Sequence, residues 1–479
     1  MPSHSASPDH ETSALLDNHN TRNTHTFSDG IAHEGESGRS GFHIRHFMTV
    51  SFRSSSYISQ LVNFLWPIVP VAIILSLTTQ AHLWIFATSY AAMVPAANLL
   101  GFAGQEFARK TPKVAGILIE TTFGSIVEII LFLVLIVKHR TGEGNGDEGN
   151  MIPIIQAAIL GSILTNLLLC LGMCFFAGAK RHLTHPSHCS PADRNAGIRK
   201  HSSNEKFHAV VSEVGSGLLL VAAFGLSIPS AFYSALKTET VKAGSKHHEK
   251  FTSGKLHHDI LNISRTTSVV LIIAFALYLI YCCTSAHSLF DEVIEQDEHA
   301  DLDHAEDMKK PKLTMTEALI AVTISIALII VLLVILVDRI EHVVHAGVPD
   351  QFLGLILLPL VEKAAEHLTA IDEAWDGVMN VALYHCLGPS IQTALLNAPI
   401  VVLAGWVLGK PMDLNFEIFM IGLLVLSILV VGNFLRDQES NWLEGALLVI
   451  VYVVIAIASW YYPNPDQATS NALGPGVRG

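Results

Sequence analysis

Glu362, Lys363, Glu366 and His367 fall within six positions of LPLVEKAAEHLTAIDE, residues 358–373, at the end of the apolar run FLGLILLPL. A carboxylate near a bilayer midplane costs at least about 2.5 kcal/mol on insertion scales, so it faces a protein interior, a partner or a permeating ion. A second glutamate, Glu128, sits as deep in an apolar stretch, FGSIVEII from Phe123 to Ile130. Two carboxylates brought together can be discharged by one divalent cation or by two protons. Like charge and desolvation both oppose leaving the pair ionised, so cation and protons compete for one site. A protein that reorients only when that site is neutral exchanges one for the other. Oxygen donors suit a hard ion such as calcium. Ser125, Gln156, Ser162, Asn166, Ser390 and Gln392 are the candidate additional ligands, with carbonyls freed where Gly124, Gly161 or Gly388-Pro389 interrupts a helix. Glu120, Glu362 and Lys363 are candidates for selectivity or proton handling, as is His367, whose imidazole titrates near neutral pH.

The elements that must position these residues are membrane helices. Half of the chain is hydrophobic and 15% is charged, against roughly a quarter charged in soluble domains. Apolar windows of about 18 residues or more recur, the length that crosses about 30 Å of hydrocarbon. Hydropathy predicts eleven spans, 61–79, 82–104, 113–137, 152–179, 208–233, 267–289, 315–337, 351–371, 378–409, 416–435 and 442–461. The expectation is an all-α polytopic membrane protein with the N-terminus cytosolic. Residues 1–44, rich in Ser, His, Thr, Asn and Asp, cannot bury enough apolar surface to order and read as a disordered cytosolic tail. Six cysteines occur, and Cys170, Cys174, Cys282, Cys283 and Cys386 lie in apolar segments without a disulfide spacing, so they read as small hydrophobes.

Internal symmetry sharpens the architecture. FGSIVEII aligns with VEKAAEHL, setting Glu128 against Glu366, and LGSILTNLLL from Leu160 aligns with LGPSIQTALL from Leu387. The paired spans are five apart, an odd number, so they cross in opposite directions. The predicted order is an extra N-terminal helix at 45–80, a five-helix repeat at 81–290, an acidic cytosolic linker at 291–313, an inverted repeat at 314–463 and a tail at 464–479. Inversion brings Glu128 and Glu366 towards one another near the pseudo-twofold axis.

QAAILGSILTNLLLCLGMCFFAG (Gln156–Gly178), GPSIQTALLNAPIVVLAGWVLGKPMDLNF (Gly388–Phe416) and SNWLEGALLVIVYVVIAIASWYYP (Ser440–Pro463) closely resemble the vacuolar-type calcium/proton exchangers of the cation/Ca2+ exchanger superfamily. The resemblance implies a vacuolar membrane protein that moves calcium in against protons moving out, with Glu128 and Glu366 as its central carboxylates. The chain departs from the family signature of Gly-Asn, two residues, then Glu: it has Gly124-Ser125 in one repeat and Glu362-Lys363 in the other. Replacing Gly-Asn by Glu-Lys is expected to remove a flexible break and to insert two charges one turn from Glu366. A lysine paired with a site carboxylate lowers the site's charge, which keeps sodium or potassium/proton exchange open as the rival reading. Residues 291–307 hold nine acidic side chains, among them Asp291, Glu292, Glu295, Asp297, Glu298, Asp301 and Asp303. They form either a solvated loop or a calcium-sensing helix, and their spacing is not that of an EF-hand.

A channel would not need a carboxylate on each of two inverted repeats. Neither EHVVHAG (Glu341–Gly347) nor Gly388-Pro389-Ser390 assembles a nucleophile, a base and an orienting group, so an enzyme is not expected. No cofactor is expected; the partners are inorganic cations and membrane lipid, not nucleic acid, and a homo-oligomer stays open.

Overall fold

The computed structural model describes residues 41–53, 57–111, 113–139, 150–184, 205–243, 253–285 and 312–462. The acidic segment 291–307, with its seven candidate regulatory carboxylates, lies outside the described residues. So do residues 1–40 and 463–479.

The chain begins with an amphipathic helix, α1 (Ile44–Arg53), followed by α2 (Tyr57–Val62) and α3 (Ile68–Thr78). The first half continues as α4 (His82–Ala108), α5 (Lys113–Lys138), α6 (Ile152–Leu164), α7 (Leu171–Thr184), α8 (Ala209–Ala243) and α9 (Ser253–Ser285). The second half comprises α10 (Met315–Val337), α11 (Ile340–His345), α12 (Asp350–Phe352), α13 (Leu358–Glu362), α14 (Ala364–Asp376), α15 (Met379–Gln392), α16 (Ala398–Val407), α17 (Ile418–Phe434) and α18 (Trp442–Trp460). A two-residue antiparallel pair, β1 (Glu205–Lys206) with β2 (Glu439–Ser440), ties the start of α8 to that of α18.

Among the described residues, nine helices are long and apolar enough to cross a membrane. The two remaining spans expected from the sequence correspond to α5 and to the broken helix α12–α14, the segments that carry Glu128 and Glu366. The second falls short because the break at Lys363 divides it into shorter helices and because Glu362, Lys363 and Glu366 crowd into five positions of it.

Polar side chains at the helix ends fix the frame. Thr314 caps α10 by accepting from Glu317 N at 3.2 Å, and Glu317 returns the bond to Thr314 N at 3.1 Å. The Glu317 carboxylate also accepts from His43 N and lies 2.9 Å from His46 Nδ1, so α1 is clipped to the start of α10. Glu106, near the end of α4, accepts from Leu313 N at 2.9 Å, and α4 and α10 then pack along their lengths.

Small residues let the two halves approach closely where no water can intervene. A side-chain carbon on Gly161 of α6 would lie 2.3 Å from the Leu355 carbonyl oxygen. Three π-helical turns interrupt the rods: Thr165–Cys170 between α6 and α7, Leu353–Leu357 between α12 and α13, and Thr393–Asn397 between α15 and α16. The first and last follow the aligned Leu-Gly segments at Leu160 and Leu387, so the same irregularity recurs in both halves. Such turns widen a helix and frequently mark functional positions.

The substitution of Glu-Lys for Gly-Asn does not remove the break expected to vanish with the glycine. The helix is interrupted at Lys363, which has φ −95° and ψ 0° between α13 and α14. Pro359, without an N–H and with a ring that crowds the carbonyl four residues back, accounts for irregularity upstream at Leu353–Leu357. Lys363 N still donates to the Pro359 carbonyl at 3.0 Å, and the break at Lys363 has no explanation in Pro359.

Candidate cation site

Glu128 on α5 and Glu366 on α14 converge on one ammonium. Lys363 Nζ lies 3.0 Å from Glu128 Oε2 and 3.4 Å from Glu366 Oε2. These are ion pairs by distance and are not aligned as hydrogen bonds. Lys363 has no solvent exposure, nor has Glu128, whereas the Glu366 side chain is 16% exposed. Lys363 therefore projects from the break into the protein rather than towards either aqueous face.

The two glutamates are held differently. Glu128 Oε2 accepts from Thr393 Oγ1 at 2.8 Å and from Asn397 Nδ2 at 3.1 Å, both on the π-helical turn after α15. That turn swings the two side chains onto one carboxylate from positions four apart. Glu366 reaches across instead to the backbone of α5: a side-chain carbon on Gly124 would lie 2.0 Å from Glu366 Oε1. Gly124 is thus a place where a carboxylate lies against bare backbone, and its role is space rather than an interrupted helix, since α5 runs unbroken through it.

Several buried oxygen atoms of the glutamates and of nearby candidate residues have no hydrogen-bond partner: Ser125 Oγ, Glu128 Oε1, both oxygens of Glu362, both of Glu366 and Asn397 Oδ1, with Ser162 Oγ elsewhere in the first half. Unpaired buried oxygens are costly. Here they are the donor set a hard cation needs. Glu362 is buried at the end of α13 and so adds a third carboxylate to the cluster's segment.

The other expected residues divide. Asn166 Oδ1 is 2.9 Å from His367 Nε2, a contact that ties the π-helical turn before α7 to α14, while Asn166 Nδ2 is buried without a partner. Ser390 Oγ donates to the Cys386 carbonyl of its own helix at 2.9 Å. Gln156 Nε2 donates to Asp413 Oδ1 at 2.8 Å, in the loop after α16. Gln392 is buried immediately before Thr393. Glu120 falls on α5, and its side chain lies outside the described residues.

Sequence reasoning missed Thr393 and Asn397, the direct partners of Glu128. The signal was present: in the register that sets Gly161 against Gly388, Thr393 answers Asn166, and each takes part in a buried hydrogen bond to a residue of the opposite half. It also read the cysteines one by one, whereas Cys170, Cys174 and Cys386 meet.

Comparison with known proteins places the chain in a family. The sodium/calcium exchanger protein family profile matches residues 81–284 and 317–461. Vacuolar cation/proton exchanger 2 of Oryza sativa subsp. japonica is 31% identical over 411 residues, covering 85% of this chain and 83% of that protein. The vacuolar calcium ion transporter of Cryptococcus neoformans var. grubii is 27% identical over 457 residues, covering 80% of this chain and 70% of that protein. In fold, the chain resembles the Ca2+/H+ antiporter protein YfkE at a TM-score of 0.60, with 23% identity over 85% of this chain and all of that one. It also resembles the H+/Ca2+ exchanger CAX at 0.55, with 13% identity over 85% of this chain and 89% of that one. One matched block contains Glu128 and its helix, and the other contains Lys363, Glu366, Thr393 and Asn397: the chain belongs to the sodium/calcium exchanger protein family of membrane ion exchangers.

Proposed function

We propose that the chain is a calcium/proton antiporter of the vacuolar membrane, with a cytosolic N-terminus and eleven spans, in which Glu128, Glu362 and Glu366 bind either calcium or protons. The reading rests on one observation: a single cationic group, Lys363 Nζ, lies within 3.4 Å of carboxylates from both halves, so a cation at that point is within reach of both. The relatives named above, a vacuolar cation/proton exchanger and a vacuolar calcium ion transporter, support the ion and the compartment. The recurrence of a π-helical turn at Thr165–Cys170 and Thr393–Asn397 supports two inverted halves.

Charge counting favours a divalent ion. Three carboxylates and one ammonium carry −2 when all are ionised, the charge that one calcium or two protons cancel. Glu362 therefore offsets the charge that Lys363 removes, and the Glu-Lys pair leaves the same total as a site built from two glutamates alone. In the transport cycle the entering cation displaces the ammonium from at least one carboxylate. Protons entering from the acidic side discharge the carboxylates and release the cation. Glu366, held by one ion pair, is the arm free to move, and Glu128, held by Lys363, Thr393 and Asn397, is the fixed one.

A monovalent cation/proton antiporter remains the second reading, on a specific observation: neither oxygen of Glu362 has a hydrogen-bond partner. Were Glu362 to carry a proton throughout, the site would hold −1 and suit sodium or potassium. Sealed vesicles with an imposed acid-inside gradient separate the two. Calcium-driven proton release, abolished in Glu128→Gln and in Glu366→Gln and not reproduced by sodium or potassium, is expected. Release driven by sodium or potassium alone would replace the calcium reading with the monovalent one.

A further inference from the structure

Apart from the oxygen-lined centre lies a different kind of cluster. Cys386 Sγ is 3.4 Å from Cys170 Sγ and 3.8 Å from Cys174 Sγ, and all three sulfurs lie within 4.8 Å of one another. All three cysteines are buried and reduced. Cys170 closes the π-helical turn after α6 and Cys174 follows four residues later on α7, so both face the same way, towards Cys386 on α15.

We propose that Cys170, Cys174 and Cys386 form a three-thiolate site for one thiophilic metal ion, and that the bound ion ties α7 to α15. Three sulfurs each about 2.3 Å from a common metal stand roughly 3.8 to 4.0 Å apart. The observed spacings reach that arrangement with sulfur displacements of a few tenths of an ångström. Thiolates select soft or borderline ions such as monovalent copper or zinc, whereas the oxygen set around Glu128 and Glu366 selects hard ones. The two sites are thus chemically orthogonal though built on the same helical run: Thr393, which donates to Glu128, lies seven residues after Cys386. Metal binding displaces the thiol protons, so affinity falls with falling pH. Because α7 belongs to the first half and α15 to the second, the bridged state restrains their relative movement. That restraint, unlike the binding, rests on the antiport reading.

The test uses the full chain in proteoliposomes, in a C189S/C282S/C283S background that keeps only the three clustered cysteines. Titration with cadmium, followed by its thiolate-to-metal charge-transfer absorption, is expected to saturate at one equivalent per chain. Monovalent copper and zinc, titrated separately by competition against cadmium, identify which ion binds more tightly. Adding C386S, or C170S with C174S, is expected to weaken cadmium binding at least tenfold while metal-free cation transport continues, which shows the variants are folded. No saturating equivalent in the background, or undiminished binding in C386S, overturns the site. Exchange slowed at saturating metal in the background but not in C386S is expected; equal rates in both overturn the restraint. Failure of calcium exchange would leave the cadmium titration readable, so the two proposals fail separately.

Discussion

Lys363→Asn tests the arrangement most directly, because the ammonium stands where the transported ion is proposed to sit. At 3.0 Å and an effective dielectric near 20, its attraction to Glu128 is about 5 kcal/mol, and the 3.4 Å contact with Glu366 is of similar size. A calcium ion can enter only by displacing the ammonium from one or both carboxylates. Most of that attraction is regained as the displaced lysine finds other oxygens, but even about 1.4 kcal/mol left over is a tenfold penalty on affinity. Removing the ammonium lifts that competition, so the variant should bind calcium at least tenfold more tightly. It should also be less stable when no cation is present. Breaking one side of a buried ion pair costs about 3–5 kcal/mol, since the carboxylates lose their counter-charge. Thermal unfolding across a calcium titration reads both effects: a lower melting temperature without calcium, and a larger rise with it at a lower midpoint concentration. An unchanged midpoint, together with unchanged stability in calcium-free buffer, would mean that Lys363 is not in the ion's way and would refute the shared-cation reasoning.

Gly124→Ala should abolish vesicle uptake while leaving expression and helicity intact, because the added carbon falls 2.0 Å from Glu366 Oε1 and pushes the carboxylate off α5. Thr393→Val removes the 2.8 Å donor to Glu128; hydrogen bonds to charged groups contribute about 1.5–3 kcal/mol, so the half-saturating calcium concentration for uptake should rise roughly 10- to 100-fold. Glu128→Asp should impair transport more than Glu366→Asp, since one methylene withdraws Glu128 from Thr393, Asn397 and Lys363 together; equal losses would contradict the anchoring described. Asp413 supplies a pH prediction: burial pushes its carboxyl above the ordinary 3.8, despite bonds from Asn415 N and Gln156. The folded state then holds that proton more tightly than the unfolded one, so its contribution is full at low pH and is lost as pH rises through the raised value. Asp413→Asn, which keeps an acceptor oxygen for Gln156, should flatten the melting temperature across that window, as followed by unfolding at stepped pH.

The frame was legible because membrane helices write themselves as long apolar runs, and because Glu128 and Glu366 break those runs at matching places. Parity of the spans was enough to suggest that the two glutamates face one another. What the sequence did not disclose depends on packing across the halves. Thr393 and Asn397 look like ordinary small polar residues of a transmembrane helix until a π-helical turn aims both at Glu128. Gln156, equally plausible as a ligand by type, is turned instead to Asp413 some 257 residues away in the chain. The helix break at Lys363 was also unreadable, because losing the signature glycine argues for a continuous helix and Pro359 disturbs only the turn before it.

The asymmetry of the site follows from the same substitution. In the first half, Gly124 leaves room for Glu366 to lie against the backbone of α5. The corresponding position of the second half carries the buried Glu362 in place of a glycine, so the bare backbone that receives Glu366 has no counterpart there. Glu128 meets Lys363 instead and takes its remaining support from Thr393 and Asn397. One glutamate is therefore fixed by three groups, and the other is held by a single ion pair and a bare stretch of backbone. The Glu362-Lys363 pair changes the geometry of the site without changing its total charge when ionised, and that is why both replacements belong together. Glu362 alone would add an uncancelled charge among buried carboxylates, and Lys363 alone would leave too little negative charge to hold a divalent ion.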